Sequence, residues 1–315
     1  SADDVERINA SGKLVAAIGI ENGFVIGGDL GLLESYYDLG ARYMTLAHSG
    51  HNDIADSATP LDRVGDSEPE HGGVSSYGAE VIAEMNRLGM MVDVSHISRQ
   101  AMLDAVRISQ APVIASHSSA RALRDHPRNM DDEQLMALKS NGGVIQAVAF
   151  RSYLNGKKHS AWLAKYDEIL KEVGANMMIE IVSDRRQIFM MQTDQRTQYI
   201  ESIQPAIRRA NELAHNISLP PVDVGDFADH IDYLVDKIGI DHVGISSDFD
   251  GGGGVQGWDD ADETFNITLE LVKRGYSEIE IEKIWSGNLL RVMQTVQEVA
   301  QTIQREDKLK GLSVD

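Results

Sequence analysis

Met91-Val-Asp-Val-Ser-His96 and Pro112-Val-Ile-Ala-Ser-His117 decide the fold. Each is an apolar, β-branched run ending in Ser-His, and the amphipathic stretch between them, 99–109, has helical length. The unit reads as strand, helix, strand, with a histidine closing each strand. In a parallel α/β sheet or barrel both imidazoles emerge on the C-terminal rim, where such folds carry their chemistry. Two histidines on neighbouring strands can share a metal ion. The alternative is that each only caps its strand through a backbone hydrogen bond; the matched positions favour ligands.

The same pattern extends outward. The apolar strand 14–20 ends at Glu21, and a carboxylate there is costly unless it is paired or binds a metal. Strand 42–47 ends at His48, and strands 143–149 and 242–248 follow, the last ending at Asp248. Helical patterns fall at 3–11, 30–39, 77–88, 131–140, 224–238, 259–274 and 277–301, several closed by glycine. Alternating strands and helices with buried-type strands indicate a parallel α/β architecture. Ionisable residues at successive strand ends indicate a (β/α)8 TIM-like barrel of the metal-dependent hydrolase type. Such a barrel needs eight strands and six are legible, while the chain opens inside a helical turn. The expectation is therefore one barrel domain over 1–315 from which the first one or two βα units are absent. Residues 155–215 interrupt the rhythm as a helical insertion, with helices at 161–173, 177–191 and 198–215. The polar tail 305–315 reads as frayed.

Composition excludes several classes. The 315 residues carry 29 Lys+Arg against 49 Asp+Glu, a formal net charge of -20 that repels nucleic acid and anionic membranes. There is no cysteine, so a metal must be held by histidine and carboxylates. No apolar run reaches the ~20 residues of a membrane span. The compartment stays open between cytoplasm and export.

Glu21, His96, His117 and Asp248 form a donor set suited to Zn2+ or a similar ion, and to metal-activated water attacking a carbonyl or phosphoryl centre. Asp248 can carry the proton to the leaving group, His48 can hold the oxyanion, and Arg128 in the basic loop 118–130 can clamp a carboxylate. Each has a plainer reading: Asp248 as a turn former before Gly251-Gly-Gly-Gly254, His48 as a strand cap, Arg128 as a surface charge. Gly251–Gly254 is not a phosphate loop, since no Gly-Lys-Ser/Thr follows. His51 and Asp53 imitate a metal pair but lie past the strand end, in a loop. His71, His126, His159, His215, His230 and His242 read as structural or surface residues.

As an ordered set these segments resemble the membrane (renal-type) dipeptidase family, peptidase family M19, of the amidohydrolase-like barrels. The carriers are Gly19-Ile-Glu21-Asn-Gly23, Arg42-Tyr-Met-Thr-Leu-Ala-His48 with Ala55-Asp56-Ser57, Val92-Asp-Val-Ser-His96, Pro112-Val-Ile-Ala-Ser-His-Ser-Ser-Ala120, Arg128-Asn129, Asp248-Phe-Asp-Gly251 and Gly287-Asn-Leu-Leu-Arg291. The resemblance spans residue 3 to about 299, outside the insertion. It implies a zinc-dependent dipeptidase acting by attack of a zinc-bridging hydroxide on a small dipeptide, with a D-residue accepted at the C-terminal position. It also implies two zinc ions, with Glu21 bridging them and His96 and His117 on the second. Further implied roles are His48 on the substrate carbonyl, Arg128 on the substrate carboxylate and Asp248 as proton shuttle. A homodimer is one assembly it allows. The departure is that the family's first zinc also needs a His-x-Asp pair upstream of the glutamate, and no histidine precedes Glu21. The rival readings are a related barrel amidohydrolase on another small amide or ester, and a non-catalytic relative.

Overall fold

The computed structural model describes residues 1–66, 69–214 and 219–312. Six strands form one sheet: β1 Ile18–Glu21, β2 Ala41–Thr45, β3 Met91–Asp93, β4 Ile114–Ser118, β5 Val144–Val148 and β6 Val243–Ser246. All neighbours are parallel and the spatial order is the chain order. Helices α2 (Gly31–Asp38), α3 (Ser76–Leu88), α4 (Arg99–Ile108), α5 (Asp132–Asn141) and α10 (Val224–Ile238) supply the crossovers and the outer layer. This is the consecutive strand order of a TIM-type barrel.

Side-chain alternation builds two cores. Met44, Leu46, Val92, Val94, Val113 and Ile145 point outward and are fully buried against the helices. The inward set, including Tyr43, Met91, Ile114 and Gln146, surrounds one cavity of about 490 Å³ together with Glu21, His117 and Asp248. Residues from every strand on one cavity mean that the sheet is curled, as a barrel wall is. Gly19 is required there: a Cβ on it would stand 2.0 Å from Cζ of Tyr43, which fills the space across the register.

The sequence reading needs correction at several boundaries. The strand expected over 14–20 is Ile18–Glu21, and Leu14 and Ile18 are 99% and 53% exposed. Among the described residues nothing pairs with the outer edge of β1, so the apolar run lacks the neighbour it would bury against. The strands expected to end at His48 and His96 stop earlier, at Thr45 and Asp93. Asp93 Oδ1 accepts the Ser95 N–H at 3.0 Å, which turns the chain out of the ladder, and His96 follows in the left-handed region with φ 68. His117, by contrast, lies within β4, so the two histidines are not in matched positions on their strands.

After α6 (Arg151–Leu154), the described part of residues 155–215 is helical: α7 (Gly156–Asn176), α8 (Arg185–Met190) and α9 (Thr193–Ala214). The helix expected over 177–191 is reduced to α8, because Met178 takes φ 57 and Ile179 N–H returns to Gly174 C=O at 2.8 Å, ending α7. His215 lies outside the described residues. Helix 259–274 shortens to α11 (Phe265–Lys273). Helix 277–301 divides into α12 (Glu278–Glu282), a π-turn at Lys283–Gly287, and α13 (Asn288–Leu312). The tail is not frayed at 305: α13 runs through it to Leu312, and Gln304 Nε2 donates to the Arg87 carbonyl at 2.7 Å. Residues 313–315 lie outside the described residues. Helix α1 (Ala2–Ala10) is held by a Ser1 capping box and packs against α13 beneath the cavity.

Candidate metal centre

Glu21 ends β1 and carries its carboxylate onto the rim. Its Oε1 stands 3.1 Å from His96 Nε2, 3.2 Å from His117 Nε2 and 3.7 Å from His48 Nε2. The two ligand-type nitrogens of His96 and His117 are 2.7 Å apart. Glu21, His48 and His96 form a set whose donor atoms all fall within 4.8 Å. His117 is the closer companion of Glu21 and His96, so three imidazoles face the Glu21 carboxylate. Donors bound to one tetrahedral zinc stand ~3.3–3.4 Å apart, given bonds of ~2.0–2.1 Å. The two Glu21–histidine sides come near that length, and the His96–His117 side, at 2.7 Å, is shorter. The His117 and His96 imidazoles packed against its Oε1 hold Glu21 ionised, far below the usual carboxylate range. Burial, with Arg128 and His117 nearby, lowers His96 to about 4 against the pull of Glu21, so its imidazole is neutral at pH 7. A charged carboxylate beside a neutral imidazole is the donor state that a divalent cation needs. His96 Nδ1 is buried with no partner among the described residues.

Each residue is positioned by local chemistry. His48 lies three residues beyond β2, where Ser57 Oγ–H donates to its carbonyl; its ring leans over His96 at 4.0 Å between centroids. The His96 carbonyl accepts the Ala58 N–H at 2.7 Å. Asp248 sits two residues past β6 with φ 55, and its carbonyl accepts the N–H groups of Gly251 (3.1 Å) and Gly253 (2.7 Å). A Cβ on Gly253 would stand 2.0 Å from the Ser247 carbonyl, which explains the glycine run. Turn and site are therefore one feature, since the Asp248 carboxylate lines the cavity with Glu21 and His117. Burial raises its pKa; His117 opposes this and Glu21 adds to it.

Arg128 does not lie on the surface. It is 4% exposed, its Nη2 donates to the His117 carbonyl at 3.0 Å, and its Nε has no partner among the described residues. Burial lowers its pKa. The rest of the basic loop disperses: Arg121 pairs with Asp125 at 2.7 Å, and Arg124 donates to the carbonyls of Asp125 and Ser152. The guanidinium of Arg128 lies 5.6 Å from the Tyr153 ring centroid, in a stack with Phe150 and His126. Tyr153 escaped the sequence reading because it sits at the mouth of the insertion, where no strand end marks it.

The model of one family, the membrane dipeptidases (peptidase family M19), matches residues 1–307. This chain belongs to the membrane dipeptidase family. Among curated relatives, the dipeptidase tcpJ of Claviceps purpurea is 34% identical over 300 residues, covering 95% of this chain and 55% of the relative. The dipeptidase aclJ of Aspergillus oryzae is 32% identical over 307 residues, covering 96% and 57%. The chain thus spans a little over half the length of these relatives. Of solved structures, the probable dipeptidase PvdM from Pseudomonas aeruginosa superposes with a TM-score of 0.75 at 36% identity, over 95% of this chain and 73% of that one. A Rhodobacter sphaeroides metallo peptidase, liganded with a phosphinate mimic of the dipeptide L-Ala-D-Ala, shares the fold with a TM-score of 0.67 at 22% identity, covering 94% and 67%.

Within this member of the membrane dipeptidase family, His51, His71, His230 and His242 hold loops and turns together. His51 Nδ1 accepts the Ser57 N–H at 2.9 Å and Asp53 is exposed, so the His51–Asp53 pair is a loop feature. Asp56 accepts N–H groups from Glu70, His71 and Gly73 and holds that loop closed. His71 meets the Asn52 carbonyl at 2.8 Å, and His242 the Gly143 carbonyl at 2.8 Å. Buried His230 bridges Ala120 N–H (3.2 Å) and the Leu154 carbonyl (3.1 Å), tying the Arg128 loop to α6.

Proposed function

We propose that this chain carries the reactive face of a zinc-dependent dipeptidase that hydrolyses the peptide bond of small dipeptides and accepts a D-residue at the C-terminal position. The observation that carries the reading is Arg128. A buried guanidinium with an Nε unpartnered among the described residues, its Nη2 on the backbone carbonyl of His117, suits a receptor for a carboxylate next to a scissile bond. The L-Ala-D-Ala mimic bound to the Rhodobacter sphaeroides relative supports the substrate class.

In this reading Glu21, His96 and His117 would hold the metal. Bound metal supplies Lewis acidity and an activated water, the chemistry of metal-assisted amide hydrolysis. Arg128 binds the terminal carboxylate and fixes the register of the dipeptide. His48, 40% exposed at the rim, faces the scissile carbonyl and stabilises its oxyanion. Asp248, its pKa raised by burial, takes a proton from water and delivers it to the leaving amine.

The test is metal content by mass spectrometry together with turnover of L-Ala-D-Ala and L-Ala-L-Ala, with and without a chelator. Bound zinc and chelator-sensitive hydrolysis are expected, with the D-residue accepted. Absence of zinc and of turnover across a dipeptide library overturns the reading.

A further inference from the structure

We propose that Asp93 and Ser116 form a positioning relay that locks His117 in its Nδ1–H tautomer and so keeps Nε2 free as a metal donor. The inference deepens the metal-dependent reading above and rests on it.

Asp93 is the last residue of β3 and is fully buried on the inner face of the sheet. Four donors surround it. Oδ1 accepts the backbone N–H groups of Ser95 (3.0 Å) and Ser116 (2.9 Å). Oδ2 accepts the hydroxyls of Thr45 (2.5 Å) and Ser116 (2.6 Å). A carboxylate can only accept, so the single Ser116 hydroxyl proton is committed to Oδ2. The Ser116 oxygen then has only lone pairs to offer His117 Nδ1, which stands 2.8 Å away. His117 must donate from Nδ1, and Nε2 is left unprotonated beside His96 Nε2 and Glu21 Oε1. Ser95 Oγ accepts the His117 backbone N–H at 3.0 Å, which fixes the imidazole's base. His96 has no counterpart of this relay, since its Nδ1 is buried without a partner among the described residues. His117 is the pre-set donor and His96 the adaptable one. Metal-ligating histidines are commonly oriented through the other ring nitrogen, and loss of that contact costs ~10–100-fold in metal affinity.

Two variants separate the relay from mere packing. Asp93→Asn keeps the size. With Oδ1 still accepting the two backbone N–H groups, it turns the other oxygen into an NH2 donor facing Ser116. The Ser116 hydroxyl must then donate towards His117 Nδ1, which forces the Nε2–H tautomer. Ser116→Ala removes the link while the other three donors to Asp93 remain; Ser116→Thr restores it, the extra methyl entering the adjoining cavity. The readouts are the ring 15N shifts of His117 in the metal-free chain, assigned against His117→Gln, and Zn2+ affinity by chelator competition. Expected are an Nδ1–H signature in the wild type and in Ser116→Thr, an Nε2–H signature in Asp93→Asn, and mixed tautomers in Ser116→Ala. Zn2+ affinity falls ~10–100-fold in the last two variants. An unchanged His117 tautomer in both overturns the relay, even where stability has dropped. If the wild type binds no Zn2+, the metal-dependent reading fails, while the tautomer readout still judges the relay.

Discussion

The Nη2 of Arg128 donates to the carbonyl oxygen of His117 at 3.0 Å, so the proposed carboxylate receptor and the proposed metal ligand are joined through one residue. In the proposed function the distance between a bound carboxylate and the metal site would therefore be set by the backbone of β4. Replacing Arg128 by Lys keeps the charge but removes the fork that reaches both His117 and a ligand. Loss of a charge-assisted hydrogen bond is worth ~1.5–3 kcal/mol, or ~10–150-fold in kcat/KM. The expected change lies mainly in KM, and a dipeptide amide, which lacks the carboxylate, suffers no further loss. Equal losses for acid and amide contradict the assignment.

Glu21→Gln removes the charge on which three imidazoles converge. Zinc content should fall by at least one ion per chain, with turnover lost, while the far-ultraviolet circular dichroism stays that of the parent because Glu21 is half exposed at a strand end. Retained zinc at parental stoichiometry rules out Glu21 as a ligand.

Gly19→Ala places a methyl 2.0 Å from the Tyr43 ring. Overpacking of this kind costs ~1–3 kcal/mol. The urea midpoint should drop, and Tyr43→Leu in the same chain should recover most of it. A double variant no better than Gly19→Ala locates the strain elsewhere.

Burial, with Arg124 and Arg128 nearby, lowers His126 to about 4, and His96 is lowered to about 4 for similar reasons. Both sit below the ordinary 6.5, so between pH 6.5 and 4 the unfolded chain binds more protons than the folded one. Their stabilising contribution is complete above pH 6.5 and is lost as pH falls towards 4. Urea midpoints of the metal-free chain should decline through that window, and the ring C–H shifts of His126 should stay flat from pH 8 to 5. A His126 titration centred near 6.5 refutes its depressed pKa.

His230→Leu strands the Ala120 N–H and the Leu154 carbonyl, each buried polar group costing ~1–3 kcal/mol when left unpaired. Because Ala120 opens the loop that ends in Arg128, both the melting temperature and KM should worsen, with kcat the less affected. A variant that melts lower with unaltered KM confines His230 to the fold.

Much of the site was legible because strand termini announce themselves locally. Glu21, His117 and Asp248 each follow or close an apolar run, and alternation fixes which face they take. His96 was legible as a residue but not as a geometry, since its left-handed turn is created by Asp93 reaching for Ser95 N–H. Arg128 was legible as the candidate clamp of the basic loop, but its burial, which sets it apart from Arg121 and Arg124, was not. Asp93 read as one more strand residue until β2 and β4 brought Thr45 and Ser116 to its two oxygens.

The sequence by itself determined the parallel βα order, the family, and the set of ionisable residues at the rim. These follow from short-range hydrophobic periodicity and residue chemistry. Only the tertiary structure decided which side chains meet: the convergence of Glu21 with His48, His96 and His117, the inward turn of Arg128 beside Tyr153, and the Asp93–Ser116–His117 chain. Those contacts join residues tens of positions apart, and their hydrogen bonds depend on strand register and sheet curl, which local patterning does not encode.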